Sequence, residues 1–472
     1  MTEPNVLLVV LDSVRAANTS LHGHRRATTP FLESFAAEST VYGQARAPST
    51  WSLPSHASVW TGRSVPSHGI EITTTADGGD SVWDALSEAG YDTGVFSSNV
   101  YITDHPVGLG GPFDTVRGVP SEVPTDHEQP GDFEMEAPTG FWYADQFLEW
   151  VDDRDGAWGA CVNVMDGHRP YLPLPAYDEW GDEEARRLQS EIGRGQFVWK
   201  FYGGRHPLWY LDALAPLYDG GIRQADAVAE RVVGGLADRG LLDDTLVVVT
   251  ADHGDGLGEL SPLADGPASI AHTLGTHEHL THVPLVVRAP GQATARRIDD
   301  LATIARFPAA VQRWVEPVTG FDGDDGGGER DDSGGEGDGS DEPARTAVDD
   351  GVFAAPGGET LVYRRPIDGP KLQTAREFCG DDHEQYVSES AALYRDLAGP
   401  GVEKVAYWDG EAARVHAHDA QGRLGTGPGE PSVVVDRIAA DRAEPSSASP
   451  RADGEEELPE EVLEHLANIG YR

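Results

Sequence analysis

The chain has 472 residues and carries 80 acidic against 35 basic side chains, for a formal net charge of -45. This length exceeds what one minimal core needs and favours a large α/β catalytic domain with a smaller appendage. The excess of carboxylates excludes nucleic acid and anionic membranes as partners, because their charge repels that of the protein.

The basic residues are mostly arginine, and lysine occurs only at positions 200, 371 and 404. Self-repulsion at this net charge would expand a compact protein unless salt screened it, and the screening length falls to about 3 Å at molar ionic strength. We therefore expect a halophilic protein that works in a salt-rich cytoplasm.

The start of the chain points to the same compartment. Four residues lead directly into the apolar run Asn5–Leu11, which is too short to span a membrane and follows no basic region. We expect a cytoplasmic protein without membrane insertion. The two cysteines, Cys161 and Cys379, are too few for a disulfide framework.

Apolar runs and helical patterns alternate along the first 300 residues. The apolar runs are typical of strands covered on both faces, as in a parallel sheet. They lie at Asn5–Leu11, 93–96, 160–164, Thr245–Thr250 and 283–287. Helical patterns lie between them, at 29–38, 81–89, Gly140–Asp152 and 222–239. The alternation predicts an α/β fold with a large, mostly parallel sheet flanked by helices.

Composition changes after residue 318, which is the predicted end of the catalytic domain (1–318). Residues 319–345 hold almost no apolar side chains, and we expect an acidic, Gly-rich disordered linker. Residues 346–442 indicate a small antiparallel α+β subdomain, and residues 443–472 an acidic tail. Short strands are predicted at 351–354, 360–363, Val402–Trp408 and 413–416, and a terminal helix at 457–469.

Acidic residues follow two of the predicted strands. Asp12 comes directly after the first strand, and Asp252 and His253 follow the run that ends at Thr250. Open α/β sheets place ligand sites at the carboxyl ends of their strands, where carboxylates and imidazole are natural metal ligands. Alone, Asp12 would more often cap a helix, but two such strand ends indicate a metal site.

Ser52 begins a third pattern, Ser-Leu-Pro-Ser-His, in which Pro54 can open a helix. A serine at a helix N-terminus lies where aligned N–H groups stabilise an anionic nucleophile and an oxyanion. The alternative is that Ser52 or Thr50 merely caps this helix.

Together, the motifs resemble the sulfatase family of the alkaline phosphatase superfamily, in the same order and over roughly residues 4 to 292. Six blocks carry the resemblance, far more than a single short motif. They are NVLLVVLDSVR, TTPFLESFAAE, STWSLPSHASVWTG, MDGHRPY, TLVVVTADHGDGLGE and HVPLVVRAPG.

The resemblance implies one divalent metal held by Asp12, Asp252 and His253, with Ser52 as a further ligand and the nucleophile. The family's second acid, directly after Asp12, is here Ser13. The lower ligand charge and the imidazole favour manganese or magnesium over calcium, with zinc as a further candidate.

In many sulfatases the nucleophile is a formylglycine made from cysteine or serine, followed four residues later by arginine. Here His56 replaces that arginine, which argues against modification of Ser52. An unmodified serine could instead attack phosphorus, as in the superfamily's phosphatases and phosphotransferases.

The resemblance also implies roles for several other residues. His168 is expected to bind substrate oxygens or to act as the leaving-group acid, and His272 to protonate the leaving group. From their residue types, His56, Arg15 and His277 are expected substrate-binding residues, although Arg15 could equally form an ion pair.

Three functions follow. The first is hydrolysis of sulfate esters of a small molecule or glycan by attack from Ser52. The second is a phosphate or phosphonate ester hydrolase or phosphotransferase that uses unmodified Ser52. The third is a non-catalytic protein that binds anionic glycans. The sequence does not define the organic part of the substrate or the oligomeric state.

Overall fold

The computed structural model describes residues 3–122, 137–192, 196–263, 266–272, 274–316, 318–321, 351–397, 401–417 and 425–450. The predicted linker lies outside the described residues from position 322 onward, as does the predicted terminal helix at 457–469. The predicted domain boundaries stay a prediction.

The strands and helices follow one another along the chain. The strands are β1 (Asn5–Leu11), β2 (Thr40–Arg46), β3 (Thr74–Ala76), β4 (Asp92–Phe96), β5 (Thr115–Arg117), β6 (Trp158–Val164), β7 (Thr245–Thr250), β8 (Leu285–Arg288), β9 (Arg296–Thr303), β10 (Glu359–Arg364), β11 (Ser390–Asp396), β12 (Val402–Trp408), β13 (Glu411–Ala417), β14 (Gly425–Pro428) and β15 (Ala448–Pro450). The α-helices are α1 (Pro30–Phe35), α2 (Ser52–Thr61), α3 (Val65–His68), α4 (Val82–Glu88), α5 (Gly140–Asp152), α6 (Glu183–Ile192), α7 (Phe197–Tyr202), α8 (Trp209–Asp238), α9 (Glu278–Thr281), α10 (Phe307–Trp314), α11 (Gly369–Cys379), α12 (Glu384–Val387) and α13 (Pro431–Arg442).

The larger sheet has the strand order β5-β4-β6-β1-β7-β8-β2-β9. Its strands pair in parallel except at β8, which runs antiparallel to β7 and β2. Strand β1 lies in the middle of the sheet and is buried along its whole length. Its continuous apolar run therefore follows from coverage on both faces. The predicted α/β fold with a mostly parallel sheet is confirmed.

The predicted elements agree best with the structure where apolar runs are long. Strands β1 and β7 and helix α5 have the predicted bounds. The helix predicted at 222–239 is the second half of the 30-residue helix α8, which continues through Pro216. The strand predicted at 351–354 is wrong, because this segment contributes only an isolated bridge between Ala354 and Ala302.

The second sheet is antiparallel, with the order β10-β11-β12-β13-β14, and forms the predicted C-terminal subdomain. Val434 and Ile438 of α13 pack with residues of this sheet and with Val65 of the N-terminal part. Another cluster joins the sheet to Leu301 of β9. The subdomain therefore packs directly on the catalytic part. None of the described helices is both long and apolar enough to cross a bilayer.

Candidate active site

The candidate site lies at the carboxyl ends of β1 and β7, which are parallel neighbours. The register pairs Val10 with Thr250, so the residues that follow each strand emerge side by side. Asp12, Asp252 and His253 are all buried, and each offers a ligand atom within 4.8 Å of the others. Strand adjacency therefore produces the acid and imidazole cluster predicted from the two strand ends.

Ser52 joins this cluster as the first residue of α2. Its Oγ lies 3.4 Å from Oδ2 of Asp12 and 3.3 Å from Nε2 of His253, so either atom can accept its proton. Ser52 lies at the N-terminus of α2, where the positive end of the helix dipole favours negative charge. The geometry suits a hydroxyl that loses its proton during a reaction.

Hydrogen bonds fix how His253 and Asp252 face the cluster. Nδ1 of His253 lies 2.9 Å from the carbonyl oxygen of Gly254, which can only accept, so Nδ1 carries the proton. Nε2 therefore presents a lone pair to Ser52. Oδ1 of Asp252 accepts bonds from the backbone N–H groups of Ser13, at 3.2 Å, and His253, at 2.9 Å. Ser13 adopts a left-handed conformation with φ of 63° to make this contact.

Basic side chains of the described residues do not balance the negative charge of this cluster. Among the described residues, no lysine or arginine forms an ion pair with Asp12 or Asp252, and Oδ2 of Asp252 accepts no hydrogen bond. Two buried carboxylates beside an imidazole lone pair repel one another unless a cation or proton lies between them. The donor set therefore fits a divalent cation held by oxygen and nitrogen ligands.

Two amides of this site were missed by the sequence reasoning. Nδ2 of Asn99 donates to Oδ2 of Asp12 at 3.1 Å, and Nδ2 of Asn163 approaches the same oxygen at 3.4 Å. Asn163 lies on β6, and Asn99 follows β4, which are the next two strands on this side of β1. These neutral donors orient Asp12 and leave its charge intact. Only the strand order identifies them.

The structure places the predicted substrate residue His56 inside α2, next to the cluster. Its Nδ1 donates to the carbonyl oxygen of Ser52 at 2.9 Å and lies 3.6 Å from Oδ2 of Asp252. His56 is buried and packs edge to face on Trp60. In this position it adjoins both the predicted nucleophile and a predicted metal ligand.

His168 and His272 also meet at this site. The ring of His272 lies 4.6 Å from that of His253 and 5.0 Å from that of His168, measured between centroids. Burial lowers the pKa of His168 to about 3 and that of His272 well below its ordinary value. Both rings are therefore neutral at pH 7 before substrate binds. An anionic substrate would raise these pKa values by favouring the charged form.

Asp255 lies beside His272, and Tyr171 lies beside Asp255. The sequence reasoning predicted no role for either residue. Nδ1 of His272 lies 3.4 Å from Oδ1 of Asp255, whose other oxygen accepts a 2.6 Å bond from the hydroxyl of Tyr171. Burial raises the pKa of Asp255. Asp255 lies in the motif that contains His253, and Tyr171 lies in the motif that contains His168. These positions were the sequence signal that could have identified both residues.

The other two predicted substrate-binding residues have different surroundings. The guanidinium of Arg15 pairs with Glu259 at 2.5 Å and donates to the carbonyl oxygen of Asp255 at 3.0 Å. This arrangement corresponds to the ion-pair alternative. His277 is buried and lines a small cavity with Glu259 and Lys404. The roles of both residues in substrate binding stay predictions.

A mostly parallel sheet with polar side chains gathered at its carboxyl edge is characteristic of α/β enzymes. The model of the sulfatase family matches residues 4–316, and the chain belongs to this family. It is therefore a hydrolase of the sulfuric ester class, with phosphoester hydrolysis as the second candidate. Among curated proteins, none matches the chain.

Solved structures share the fold at low sequence identity. A phosphonate monoester hydrolase of Agrobacterium radiobacter is 18% identical, with 93% of each chain covered and a TM-score of 0.56. A 2-O GAG sulfatase is 12% identical, with the same coverage and TM-score. An alkaline phosphatase superfamily protein from Vibrio parahaemolyticus is 14% identical and also has a TM-score of 0.56, over 94% of this chain and 86% of that one.

Proposed function

We propose that Asp12, Asp252 and His253 hold one divalent metal, with Ser52 as a further ligand and as the nucleophile that cleaves a sulfate ester. The observation that carries this proposal is the buried pair of carboxylates, which no lysine or arginine of the described residues balances. When bound, the metal offsets this charge, acidifies the serine hydroxyl and withdraws charge from the ester oxygens. Manganese or magnesium suits the mixed oxygen and imidazole donors better than calcium, and zinc is a further candidate.

The reaction we propose begins with the Ser52 hydroxyl. Oγ loses its proton to Oδ2 of Asp12, 3.4 Å away, and forms a bond to sulfur. The bond from sulfur to the ester oxygen then breaks on the opposite side. The N-terminus of α2 stabilises the negative charge on the transferred group. This leaves a covalent ester on Ser52 and an alcohol that requires a proton.

The two neutral histidines act on the substrate oxygens. Substrate anions raise the pKa values of His168 and His272, and the protonated rings then donate hydrogen bonds or a proton. His168, whose Nδ1 donates to the carbonyl oxygen of Arg169, presents Nε2 to the sulfate oxygens. His272, held beside Asp255, protonates the departing alcohol.

Release of the covalent ester depends on the chemical state of Ser52. An unmodified serine ester requires attack by water or by an acceptor alcohol, which allows hydrolase and transferase outcomes. A formylglycine would release sulfate by elimination. Nδ1 of His56 is engaged with the backbone of Ser52, in the place of the arginine of modified sulfatases, and this supports unmodified serine.

The same unmodified serine favours a second candidate, a phosphate or phosphonate ester hydrolase or phosphotransferase. Serine attacks phosphorus without oxidation. Two structures of similar fold are described as phosphonate monoester hydrolases, at 18% and 17% identity. A non-catalytic role in glycan binding is less well supported, because the acid, imidazole and hydroxyl groups all meet in one buried cluster.

The direct test compares aryl sulfate with aryl phosphate hydrolysis in high salt with manganese, for the wild type and Ser52→Ala. We expect turnover to fall by at least about 10³-fold, as for loss of a nucleophile. Ser58→Ala removes a hydroxyl from the same helix, where Ser58 contacts His68, and should retain turnover. Persistence of activity in Ser52→Ala would contradict the assignment, and preferential phosphate turnover would favour the second candidate.

Mass spectrometry of the peptide around Ser52 determines its chemical state separately. Formylglycine is about 2 Da lighter than serine, and we expect the mass of unmodified serine. A loss of 2 Da in active protein would instead show that conversion occurs without the usual arginine.

The acidic composition supports a further proposal, that the protein is halophilic and cytoplasmic. With a net charge of -45, repulsion should destabilise the fold at low ionic strength. We expect the melting temperature to rise from about 0.1 M to about 1 M salt, as the screening length falls from about 10 to about 3 Å. A melting temperature independent of salt would contradict the halophilic proposal. The compartment stays a prediction.

A further inference from the structure

Residues 47–51 form the segment that connects β2 to α2 and so precedes Ser52. The segment is neither helix nor strand, yet residues 47–50 are buried and Trp51 is half-buried. The N–H group of Ala47 donates to the carbonyl oxygen of Thr281 at 2.9 Å. Because the segment lacks the repeating hydrogen bonds of secondary structure, its contacts with other elements determine where α2 begins.

Strand β10 of the C-terminal subdomain provides two further contacts with this segment. The N–H group of Tyr363 donates to the carbonyl oxygen of Pro48 at 3.0 Å, and Oγ of Ser49 donates to the carbonyl oxygen of Tyr363 at 2.9 Å. Ser49 and Tyr363 are both buried. Strand β10 is the outermost strand of its sheet, so its outer edge is available for such contacts. The subdomain therefore binds the chain three residues before Ser52.

Trp51, the residue directly before Ser52, also contacts the subdomain. Nζ of Lys371 on α11 lies 5.4 Å from the centre of the Trp51 ring. The ring of Tyr101 packs edge to face on Trp51, with 5.7 Å between the centroids. Cation–π and edge-to-face contacts of this kind favour one orientation of the indole ring. The last residue before α2 is thus held by the subdomain on one side and by the catalytic part on the other.

The position of Ser52 leaves little room for displacement. Its Oγ lies 3.3 Å from Nε2 of His253 and 3.4 Å from Oδ2 of Asp12, which is close to the upper limit for a hydrogen bond. Ser55, in the same first turn of α2, donates to the carbonyl oxygen of Asp252 at 2.6 Å. A shift of about 1 Å at a reacting atom can lower a rate about 100-fold. The contacts that fix the start of α2 therefore matter for the reaction.

We propose that the C-terminal subdomain positions the start of α2, and with it the proposed nucleophile, and that Ser49 is the positioning residue. The proposal rests on the proposed function, because it takes Ser52 as the nucleophile. The hydroxyl of Ser49 holds the chain on β10 and acts on the reaction only through the placement of Ser52. The alternative is that this hydrogen bond merely adds to the packing of the two parts of the protein. It would then contribute to stability and leave turnover by the folded protein unchanged.

The test compares Ser49→Ala with Asp396→Ala, using the aryl ester that the wild type hydrolyses and saturating manganese. Asp396 is a matched control, because its Oδ1 accepts a 2.6 Å bond from the backbone N–H of Leu301 and so joins the same subdomain to β9. We expect Ser49→Ala to lower kcat by about tenfold, while KM and the Kd for manganese stay within about twofold. Asp396→Ala should leave kcat unchanged. An unchanged kcat in Ser49→Ala, or equal losses in the two variants, would overturn the proposal.

Hydrogen exchange of the full-length protein with manganese separates this proposal from the proposed function, because it requires no turnover. The amides of residues 49–55 should exchange about fivefold faster in Ser49→Ala than in the wild type, as expected for loss of one hydrogen bond. Faster exchange supports positioning of α2 by Ser49 even if Ser52→Ala stays active, a result that would contradict the nucleophile assignment alone. Exchange at the wild-type rate overturns the positioning proposal even if Ser52→Ala is inactive.

Discussion

Two buried polar clusters of this protein differ in whether their carboxylates are paired with basic side chains. The Glu278 cluster, formed by Arg46, Glu278, Tyr394 and Lys404, joins the large sheet to the C-terminal subdomain. Glu278 pairs with Arg46 at 2.7 Å and with Lys404 at 3.3 Å, and accepts a 2.9 Å bond from Tyr394. One carboxylate thus meets two cations. The cluster at Asp12 and Asp252 instead brings two carboxylates together without such a partner among the described residues.

The difference indicates two distinct uses of buried charge. A cluster in which buried charges are paired fixes how two parts of a protein pack. Loss of one partner lowers the free energy of unfolding, because the remaining charges stay buried without a counter-charge. An uncompensated cluster destabilises the empty protein but leaves charge available for a ligand. We therefore expect substitutions in the Glu278 cluster to affect stability, and substitutions at Asp12 or Asp252 to affect metal binding and turnover.

The largest stability effect should come from Glu278→Gln. This change leaves Arg46 and Lys404 buried without their carboxylate, and we expect unfolding free energy to fall by about 3–5 kcal/mol. Glu359→Gln removes a carboxylate that pairs with Arg395 and Arg437 at a partly exposed site, where we expect at most about 1 kcal/mol. Denaturant titrations measure both. Equal losses would show that burial of the Glu278 cluster does not increase the cost of breaking its ion pairs.

A smaller effect is expected when metal is added. Manganese at about 100 times its Kd should stabilise the wild type by about 2.7 kcal/mol, and Asp252→Asn should remove most of this gain. Asp219→Asn is the matched control, because Asp219 is a buried carboxylate that already pairs with Arg26 at 2.6 Å. Thermal unfolding with and without the ion measures the shift. A shift that Asp252→Asn leaves intact would place the metal elsewhere.

The smallest effect concerns acid stability. Burial alone would raise the pKa of Glu278, but the charges of Arg46 and Lys404 outweigh burial and hold this pKa below its ordinary value of 4.5. The resulting stability is present above about pH 4.5 and is lost as pH falls toward the folded-state pKa, because the unfolded chain then binds the proton first.

Wild-type stability should therefore fall more steeply below pH 4.5 than that of Glu278→Gln, by at most about 1.4 kcal/mol per pH unit. Unfolding titrations at several pH values measure the two slopes. Equal slopes of stability against pH for the two proteins would contradict a lowered pKa of Glu278.

The residues at the centre of the candidate site could be selected from the sequence because they are local to strong signals. Asp12, Asp252 and His253 follow long apolar strands, and Ser52 begins a helix with proline in its first turn. In contrast, Asn99 and Asn163 reach Asp12 only because β4, β6 and β1 are neighbours in the sheet. Strand order is a property of tertiary packing and leaves little trace in local composition.

The same reason explains the parts of the fold that were missed. Strand β2 includes Gly43 and polar Gln44 and Arg46, and β9 carries four charged residues, so neither resembles a buried apolar run. Their pairing with each other decides their structure. Long-range contacts thus determine the structure at the sheet edge.

The central claim is that the uncompensated carboxylates form a metal-dependent ester-cleaving site. The most direct test is aryl sulfate turnover by Asp252→Asn in buffer with manganese. Mutation of residues that support metal ligands typically lowers metal affinity or activity by about 10–100-fold. Loss of a ligand itself should therefore lower turnover by at least about 100-fold. The melting temperature without metal should stay equal or rise, because one repelling carboxylate is gone. Turnover at the wild-type rate would contradict the account.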